Sequence, residues 1–384
     1  MQKLCFLLIL SLLLLGVVNC QEQTTPEPIR IGLVAPFTGN LDTLGESALN
    51  AALLWVEAIN NSGGLVVNGT TYQVELLIED SEGIPEKAIE ATRSLIFRQD
   101  VVAVVGPMLS RTAIPASVIS EEAQIPMLLP NATNPEATVG KSFVYRIAFV
   151  DSFQGSLMAI FSHEQLQAQK AAVLFDTANT YNHDVAHFYQ DAFINLGGEI
   201  VAFEPYVTGT QDFSQQLAAI SAAAPDILFL PNYSYELMLQ IDQIRAANIQ
   251  ATLVGSDGWS GILPENLPRF EGAYFSSHYA IDLPNEKAVV FRELFEQTYQ
   301  KPANESAALT YDAFGLLFQA IQTSGVTPEA IQEGLQQTEQ YEGVTGTMLY
   351  DQTGDPLRSA VILRIINGTV RHFDTIDPHE TMAK

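Results

Sequence analysis

Cysteine is scarce in this chain of 384 residues, which contains only Cys5 and Cys20. Cys5 lies inside the apolar run that opens the sequence, and Cys20 precedes the first predicted strand. A secreted animal-type ectodomain of this size usually carries several disulfides. The scarcity of cysteine therefore excludes a disulfide framework, and it also excludes a cysteine nucleophile within the fold.

Basic residues are also few: 18 lysines and arginines stand against 44 aspartates and glutamates, which gives a net charge of −26. A chain this acidic is not expected to bind nucleic acid or an anionic membrane surface. The same charge would keep an exported protein soluble. Hydrophobic residues make up 47% and charged residues 16%, which is a globular composition, and the length favours two domains.

Motifs for catalysis and cofactor binding are missing as well. The chain has no phosphate loop of the Walker type and no G-x-S-x-G nucleophile elbow. His183, Asp184 and His187 form H-D-x-x-H, which has the i, i+4 histidine spacing of a zinc helix. Aspartate reaches less far than the glutamate of that motif, and no third ligand stands out. We therefore expect no enzyme activity, no metal and no cofactor.

The long hydrophobic run of the chain is at its N-terminus, in "MQKLCFLLILSLLLLGVVNC". Lys3 places a positive charge ahead of the apolar segment Leu4–Leu15. About fourteen apolar residues are too few to span a bilayer, which takes about 20. This pattern predicts a signal peptide over residues 1–20 and a polar linker over 21–28, so we expect the protein to be exported.

The end of this segment, "GVVNC", resembles the lipobox of bacterial lipoproteins. In that motif the cysteine becomes the lipidated first residue of the mature protein, which here would be Cys20. Asn19 departs from the glycine, alanine or serine usual before that cysteine, so cleavage to a soluble form is the alternative. The resemblance implies a periplasmic or cell-surface protein that is held to the membrane by a lipid anchor only.

From Ile29 onward, strands alternate with helices. "IRIGLVAP" has the composition of a buried strand, and Leu44–Asn60 repeats apolar residues at helical spacing until Gly63 and Gly64 end it. About ten such cycles predict an α/β protein with parallel sheets covered on both faces. Ten cycles are too many for one sheet, so two sheets linked more than once fit better. A closed eight-fold barrel is the alternative, but the C-terminal end is rich in strands.

Several motifs resemble the leucine/isoleucine/valine-binding proteins, the branched-chain amino-acid receptors of ABC transporters. They are "GLVAPFTGNLDTLGESALNAALLWVEAINNSGG", "GPMLSRTA", "IPMLLPNATNPEAT", "LVGSDGW" and "TYDAFGLLFQAI", and they follow the family's order along nearly the whole mature chain. The resemblance implies the type I periplasmic binding-protein fold, in which two doubly wound α/β lobes are joined by three crossovers and close on a ligand.

Carried onto this sequence, the resemblance divides the chain between the two lobes. The first lobe would hold residues 29–148 plus 277–350, and the second would hold 149–276 plus 351–384. The crossovers would then lie near Phe149–Asp151, Ser276–Ser277 and Tyr350–Asp351.

Two small polar patches follow successive predicted strands. Ser110 stands where the strand Val101–Val105 gives way to a helix, as its predicted N-cap, and Asn131, Ala132 and Thr133 follow Ile125–Leu129. Free N–H groups at a helix start, at the carboxyl ends of parallel strands, favour an anion. These residues are expected to hold a carboxylate. The alternative is that Ser110 only caps its helix and Thr133 only braces a turn.

An amino acid also needs an acidic partner for its ammonium, and the resemblance places one at Asp257 in "VGSDGW". Its alternative role is that of a turn aspartate. Tyr181 and Tyr233 follow two second-lobe strands and would line the same side, each with an apolar ring face and one hydroxyl. Leu44 and Trp259 would shape the side-chain pocket, although both could equally be ordinary core.

The resemblance therefore implies the extracytoplasmic substrate-binding component of an ABC importer. Its ligand would be an amino acid, branched-chain or otherwise apolar, released to a membrane permease by a protein that we expect to be a monomer. A receptor domain that reports ligand to a signalling partner is the alternative, as is binding of an amide, urea or an aromatic acid. Arg111, beside Ser110, either meets a second carboxylate on the ligand or points to solvent.

Overall fold

The computed structural model describes residues 26–283, 285–351 and 353–378. The predicted signal peptide and the predicted lipidation at Cys20 lie outside the described residues. Within them, no helix is both long enough and apolar enough to cross a membrane.

The first lobe is built on a five-stranded parallel sheet of order β4-β1-β5-β6-β7. Its central strands are buried on both faces, because helices cover both; Leu33 in β1 lies opposite Ile78 in β4 and Val105 in β5. The elements of this part are β1 Ile29–Ala35, α1 Asp42–Asn61, β2 Leu65–Val67, β3 Thr70–Tyr72, β4 Val74–Asp80, α2 Pro85–Phe97, β5 Ala103–Val105, α3 Ser110–Ala123, β6 Met127–Leu129 and β7 Val144–Arg146.

The second lobe is built on a seven-stranded sheet of order β17-β16-β12-β11-β10-β8-β9. Five strands run parallel, with Val173 in β8 opposite Phe203 and Phe229, and the C-terminal hairpin joins them antiparallel. Its elements are α4 Asp151–Ile160, β8 Lys170–Asp176, α5 Thr180–Asn195, β9 Glu199–Tyr206, α6 Ser214–Ala223, β10 Ile227–Leu230, α7 Ser234–Ala246, β11 Thr252–Gly255, β12 Tyr274–Ser277, β16 Ala360–Ile366 and β17 Thr369–Ile376.

Between β12 and β16 the chain returns to the first lobe. This segment contains α8 Glu286–Tyr299, α9 Glu305–Ser324, α10 Pro328–Gln336, β13 Gln340–Gly343, β14 Gly346–Tyr350 and β15 Pro356–Leu357. Leu309, Phe314 and Leu317 of α9 share one buried cluster with Ile31 and Val105 of the first sheet. A helix from late in the chain therefore closes one face of the sheet formed by its beginning.

The chain passes between the two sheets three times: after β7, after β12 and before β16. The predicted fold, two α/β lobes joined by three crossovers, is confirmed, and both sheets have open edges, unlike a barrel. The exact lobe boundaries stay a prediction. β15 pairs with β14 through Leu349–Leu357 and Tyr350–Pro356, so we propose that the third boundary lies near residue 358 rather than 350.

Candidate functional site

A cavity lies between the lobes, at the carboxyl ends of the strands of both sheets. It has an empty volume of about 650 Å³, including its opening to solvent, within the range of small-molecule sites. Residues predicted for the site line it from both sides: Leu44, Ser110, Asn131, Thr133, Tyr181, Tyr233 and Asp257. The residues predicted for the site thus meet in one cavity although they lie as much as 213 residues apart along the chain, from Leu44 to Asp257.

Two predicted residues are placed elsewhere. Trp259 is buried in the core of the second lobe, where its indole N–H donates to the Leu230 carbonyl at 2.9 Å and its ring packs on Phe270. A tryptophan so held cannot shape the pocket, so the alternative of ordinary core applies to it. Ala132 does not line the cavity; it is buried in the core of the first lobe, and its carbonyl accepts from Arg146 Nη1 at 2.8 Å.

Ser110 is the first residue of α3, and its predicted role as N-cap is wrong. Leu109 occupies that position with extended backbone, and no side chain caps the helix. The Ser110 hydroxyl instead accepts from the Asn134 backbone N–H at 3.2 Å, which ties α3 to the loop after β6. The N–H groups of Thr112 and Ala113 both donate to the Leu109 carbonyl. Those of Ser110 and Arg111 have no acceptor among the described residues, so they remain available to an anion.

The loop after β6 is held rigid by Arg146, which is fully buried. Its guanidinium donates to the carbonyls of Ala132 at 2.8 Å and Asn134 at 2.7 Å, and to the Asp355 carboxylate at 2.8 Å. The carbonyls of Ala132 and Asn134 point toward Arg146, whereas Asn131 and Thr133 line the cavity. The carboxylate-binding side of the site is therefore a braced loop beside a helix start.

Asp257 lies on the second-lobe wall, at the end of β11. Its Oδ1 accepts from the Tyr181 hydroxyl and from Gln154 Nε2 at 2.7 Å. Burial raises the pKa of Asp257, and the nearby Glu305 carboxylate raises it further, against the lowering effect of His278 and the two hydrogen bonds. A cation bound beside Asp257 would stabilise its charged form and so offset both burial and the Glu305 charge.

The two predicted tyrosines form one apolar wall. The rings of Tyr181 and Tyr233 stack with centroids 5.0 Å apart, and both residues are buried. Burial raises the pKa of each phenol well above its ordinary value, so both are neutral. Leu41, Leu44 and Met108 line the cavity from the first lobe. The ligand therefore meets ring faces and aliphatic carbons between the two polar ends.

Sequence reasoning missed Glu305, the first residue of α9, which lines the cavity from the first lobe. Its Oε1 accepts from the Ser277 hydroxyl at 2.6 Å, from the His278 backbone N–H at 2.6 Å and from His278 Nδ1 at 2.9 Å. Burial acts to raise the pKa of Glu305, but the adjacent His278 and these hydrogen bonds hold it below its ordinary value. A glutamate in a first helical turn is common, because it complements the helix dipole, so the sequence offered no signal for a cleft.

Asp257, His278 and Glu305 have potential metal-ligand atoms within 4.8 Å of one another. Both ring nitrogens of His278 are engaged, however, since Nδ1 meets Glu305 and Nε2 accepts from the Phe149 backbone N–H at 3.1 Å. A metal would need one of these lone pairs free. The geometry fits a hydrogen-bonded acidic pole better than a metal centre.

The H-D-x-x-H segment has a different role from zinc binding. His183 Nδ1 meets Asp184 Oδ1 at 2.7 Å, and His187 Nδ1 meets the His183 carbonyl at 2.7 Å. The other Asp184 oxygen accepts from Asn134 Nδ2 at 2.6 Å, across the cleft. Asp184 therefore links the second lobe to the loop after β6 of the first lobe.

Comparisons with known proteins agree with this architecture. A family model described as periplasmic binding protein matches residues 28–369. The chain is similar to the leucine-, isoleucine-, valine-, threonine-, and alanine-binding protein of Pseudomonas aeruginosa, with 28% identity over 334 residues that cover 86% of this chain and 87% of that protein.

Two solved structures are similar throughout. A leucine-binding protein, LivK, from Thermotoga maritima has a TM-score of 0.84 at 28% identity, covering 92% of this chain and 99% of that one. The branched-chain amino acid transporter substrate-binding protein LivJ from Streptococcus pneumoniae, in complex with isoleucine, also has a TM-score of 0.84 at 28% identity, covering 91% of this chain and 99% of its own. The family model, the relatives and the two-lobed fold agree: this chain belongs to the periplasmic binding protein family.

Proposed function

We propose that this protein is the extracytoplasmic substrate-binding component of an ABC importer and that its ligand is an α-amino acid. The observation that carries the proposal is the polarity of the cavity. Two carboxylates, Asp257 and Glu305, line it together with Thr133 and the open helix start at Ser110. An α-amino acid has the matching charges, an ammonium and a carboxylate.

The acidic pole is suited to an ammonium ion. In each carboxylate only one oxygen accepts hydrogen bonds within the described structure, Oδ1 of Asp257 and Oε1 of Glu305. The second oxygen of each remains for the ligand. Because Asp257 belongs to the second lobe and Glu305 to the first, an ammonium bound between them would attract both lobes. Closure would then depend on the ligand.

The opposite pole supplies hydrogen-bond donors without a paired cation. The free N–H groups of Ser110 and Arg111 and the Ser110 hydroxyl face the space in front of α3, whereas the Thr133 hydroxyl lies beside the buried Asp151 carboxyl. Backbone N–H groups and the helix dipole stabilise a carboxylate here at low cost, because they are already fixed in position.

Between the poles, aliphatic and aromatic side chains favour a ligand with an apolar side chain. The P. aeruginosa relative is named for binding leucine, isoleucine, valine, threonine and alanine, and the S. pneumoniae structure contains isoleucine. We propose the same ligand class, branched-chain or otherwise apolar, for this chain. It would act as a monomer that delivers its ligand to a membrane permease, held to the membrane through Cys20, with no chemical step.

A thermal-shift screen of the twenty amino acids, benzoate and urea tests this proposal. A ligand present at a hundred times its Kd adds about 2.7 kcal/mol of stability. Leucine is the first probe, and its matched controls are leucinamide, which lacks the carboxylate, and 4-methylpentanoate, which lacks the ammonium. We expect leucine alone of the three to stabilise the protein, and mass spectrometry to recover it unchanged. Stabilisation by 4-methylpentanoate equal to that by leucine would show that the acidic pole binds no ammonium.

A further inference from the structure

A second cavity between the lobes adjoins the first. It is lined by the first-lobe residues Leu41, Gly83 and Arg111 and, across the cleft, by Tyr235 and the loop that follows β9. Its empty volume is about 960 Å³, including its opening to solvent. Leu41 lines both cavities, so the two spaces meet at this side chain.

Arg111 brings a positive charge into the second cavity. It follows Ser110 in α3, so its Cα lies about 3.8 Å from that of a residue at the carboxylate pole. Its Nε is buried and has no hydrogen-bond partner in the structure, and no carboxylate lies within 4 Å of its guanidinium among the described residues. Arg111 is half-buried, and its partly desolvated charge is left without an anionic partner, which is unfavourable.

The acidic groups that share this cavity already have other partners. Glu82 pairs with Lys87 at 3.8 Å. Glu236 accepts from the Tyr206 hydroxyl at 2.8 Å and from the Tyr233 backbone N–H at 2.9 Å, and burial raises its pKa. Neither carboxylate is directed to Arg111 within ion-pair distance. The charge of Arg111 is thus left for something that enters the cavity.

The backbone beside Arg111 leaves its guanidinium uncovered. Gly83 has a φ of +67°, and a Cβ built there would lie 3.6 Å from Arg111 Nη2 and 3.3 Å from Leu109 Cδ1. Because glycine has no side chain, the space in front of Nη2 stays open to the cavity. Leu41 and Leu109 supply an aliphatic wall between this space and the carboxylate pole.

We infer that the second cavity is a further ligand subsite, which binds an anionic group at the far end of the ligand side chain through Arg111. Besides amino acids with apolar side chains, the protein would therefore bind an α-amino acid whose side chain has an aliphatic middle and a terminal carboxylate. A guanidinium can bind a carboxylate through two parallel hydrogen bonds, which gives the subsite its preference for that group. This inference rests on the proposed function, because it takes the ammonium and carboxylate poles of the first cavity as given.

Pairs of amino acids that differ only at the end of the side chain provide the test. 2-Aminoadipate and norleucine share one chain length, and the terminal carboxylate of the former replaces the methyl group of the latter. Glutamate with norvaline and 2-aminopimelate with 2-aminoheptanoate extend the series. Calorimetric titration should show that at one chain length the acidic member binds at least about tenfold more tightly than its neutral partner. Tighter or equal binding of the neutral member at every length overturns the inference.

The variant Arg111→Met should abolish the preference for the acidic member, and a cooperative thermal melt like that of the wild type shows that the variant is folded. Arg93→Met is the matched control: it removes an exposed positive charge of the same lobe that does not line the cavity, and it should keep the preference. A preference that survives in Arg111→Met also overturns the inference. Failure of the proposed function gives a different result, because then neither leucine nor any member of the three pairs binds to the wild-type protein.

Discussion

Replacing Asp257 with asparagine should weaken ligand binding while leaving the empty protein at least as stable. The asparagine side chain keeps the shape, and its oxygen can still accept from Tyr181 and Gln154. Only the charge is lost, so a bound ammonium would be left with Glu305 alone. Removing one partner of a buried ion pair costs about 3 kcal/mol or more, which corresponds to a Kd at least about 150-fold higher.

The stability of the empty protein should change in the opposite direction. Burial and the Glu305 charge raise the pKa of Asp257 above its unfolded value. A carboxyl whose pKa is raised by folding contributes stability below its unfolded pKa, and this contribution is lost as the pH rises through the folded pKa. At pH 7 Asp257 is therefore a net cost to the empty protein, and Asp257→Asn should melt at the same or a higher temperature. The gain should disappear toward pH 4.

Ser110→Ala provides the contrasting variant. It removes one hydrogen bond to the ligand carboxylate, about 1.5–3 kcal/mol, while the helix N–H groups remain. It also leaves the Asn134 N–H, which donates to the Ser110 hydroxyl, without its partner, so this variant should lose about 1 kcal/mol of stability or more. Leucine titration calorimetry and thermal melting without ligand at pH 7 and pH 4 measure both effects. If Asp257→Asn binds leucine within about threefold of wild type, the reasoning about the ammonium pole is refuted.

The remaining predictions concern the first crossover, closure of the lobes and the membrane anchor. Asp151, in the first crossover, is fully buried, and neither of its carboxyl oxygens has a partner with hydrogen-bond geometry. Burial raises the pKa of Asp151 far more than the nearby Thr133 hydroxyl lowers it. Asp151→Asn should therefore raise the melting temperature at pH 7 and raise it much less at pH 4. Addition of a stabilising ligand should reduce the radius of gyration in small-angle scattering, and a ligand that stabilises without compaction would contradict the hinged mechanism. In a bacterial host the wild-type protein should incorporate labelled fatty acid and Cys20→Ser should not, whereas a soluble, unlabelled wild-type product would show that Asn19 prevents lipidation.

Local patterns predicted the elements well where one periodicity dominated. α1, predicted over Leu44–Asn60, spans Asp42–Asn61, and the polar patches that follow β5 and β6 meet at one edge of the first sheet, as parallel strands require. The hairpin β2–β3 was missed, although its turn, Asn68–Gly69, has positive φ at both residues and is a typical two-residue hairpin turn. The flanking strands have only three residues each, too few for a clear alternation.

Side chains whose position depends on distant parts of the chain were not predictable in the same way. Glu305 reaches the cavity only because α9 crosses back to the first lobe and His278, in the second crossover, orients it. Trp259 follows Asp257 by two residues, yet the short helical turn there directs it into the core instead of the cleft. The N-cap of α3 is Leu109, one residue before the predicted Ser110, and the Ser110 hydroxyl accepts from the Asn134 backbone N–H in the loop after β6 instead of capping the helix.

The return of α9 to the first lobe has a consequence for how this chain can fold during synthesis. The strands of the first sheet are complete by Arg146, but the helix that covers one of their faces ends at Ser324. Until that helix emerges, Ile31, Leu33 and their neighbours pack on that side only against α1, through Ala48, Ala52 and Val56, and the contacts that complete this cluster join the start of the chain to Leu309–Ile321. Such long-range contacts form slowly. We therefore expect the N-terminal portion to complete its core only after α9 has been made, and a fragment that ends near residue 150 should expose this face and aggregate.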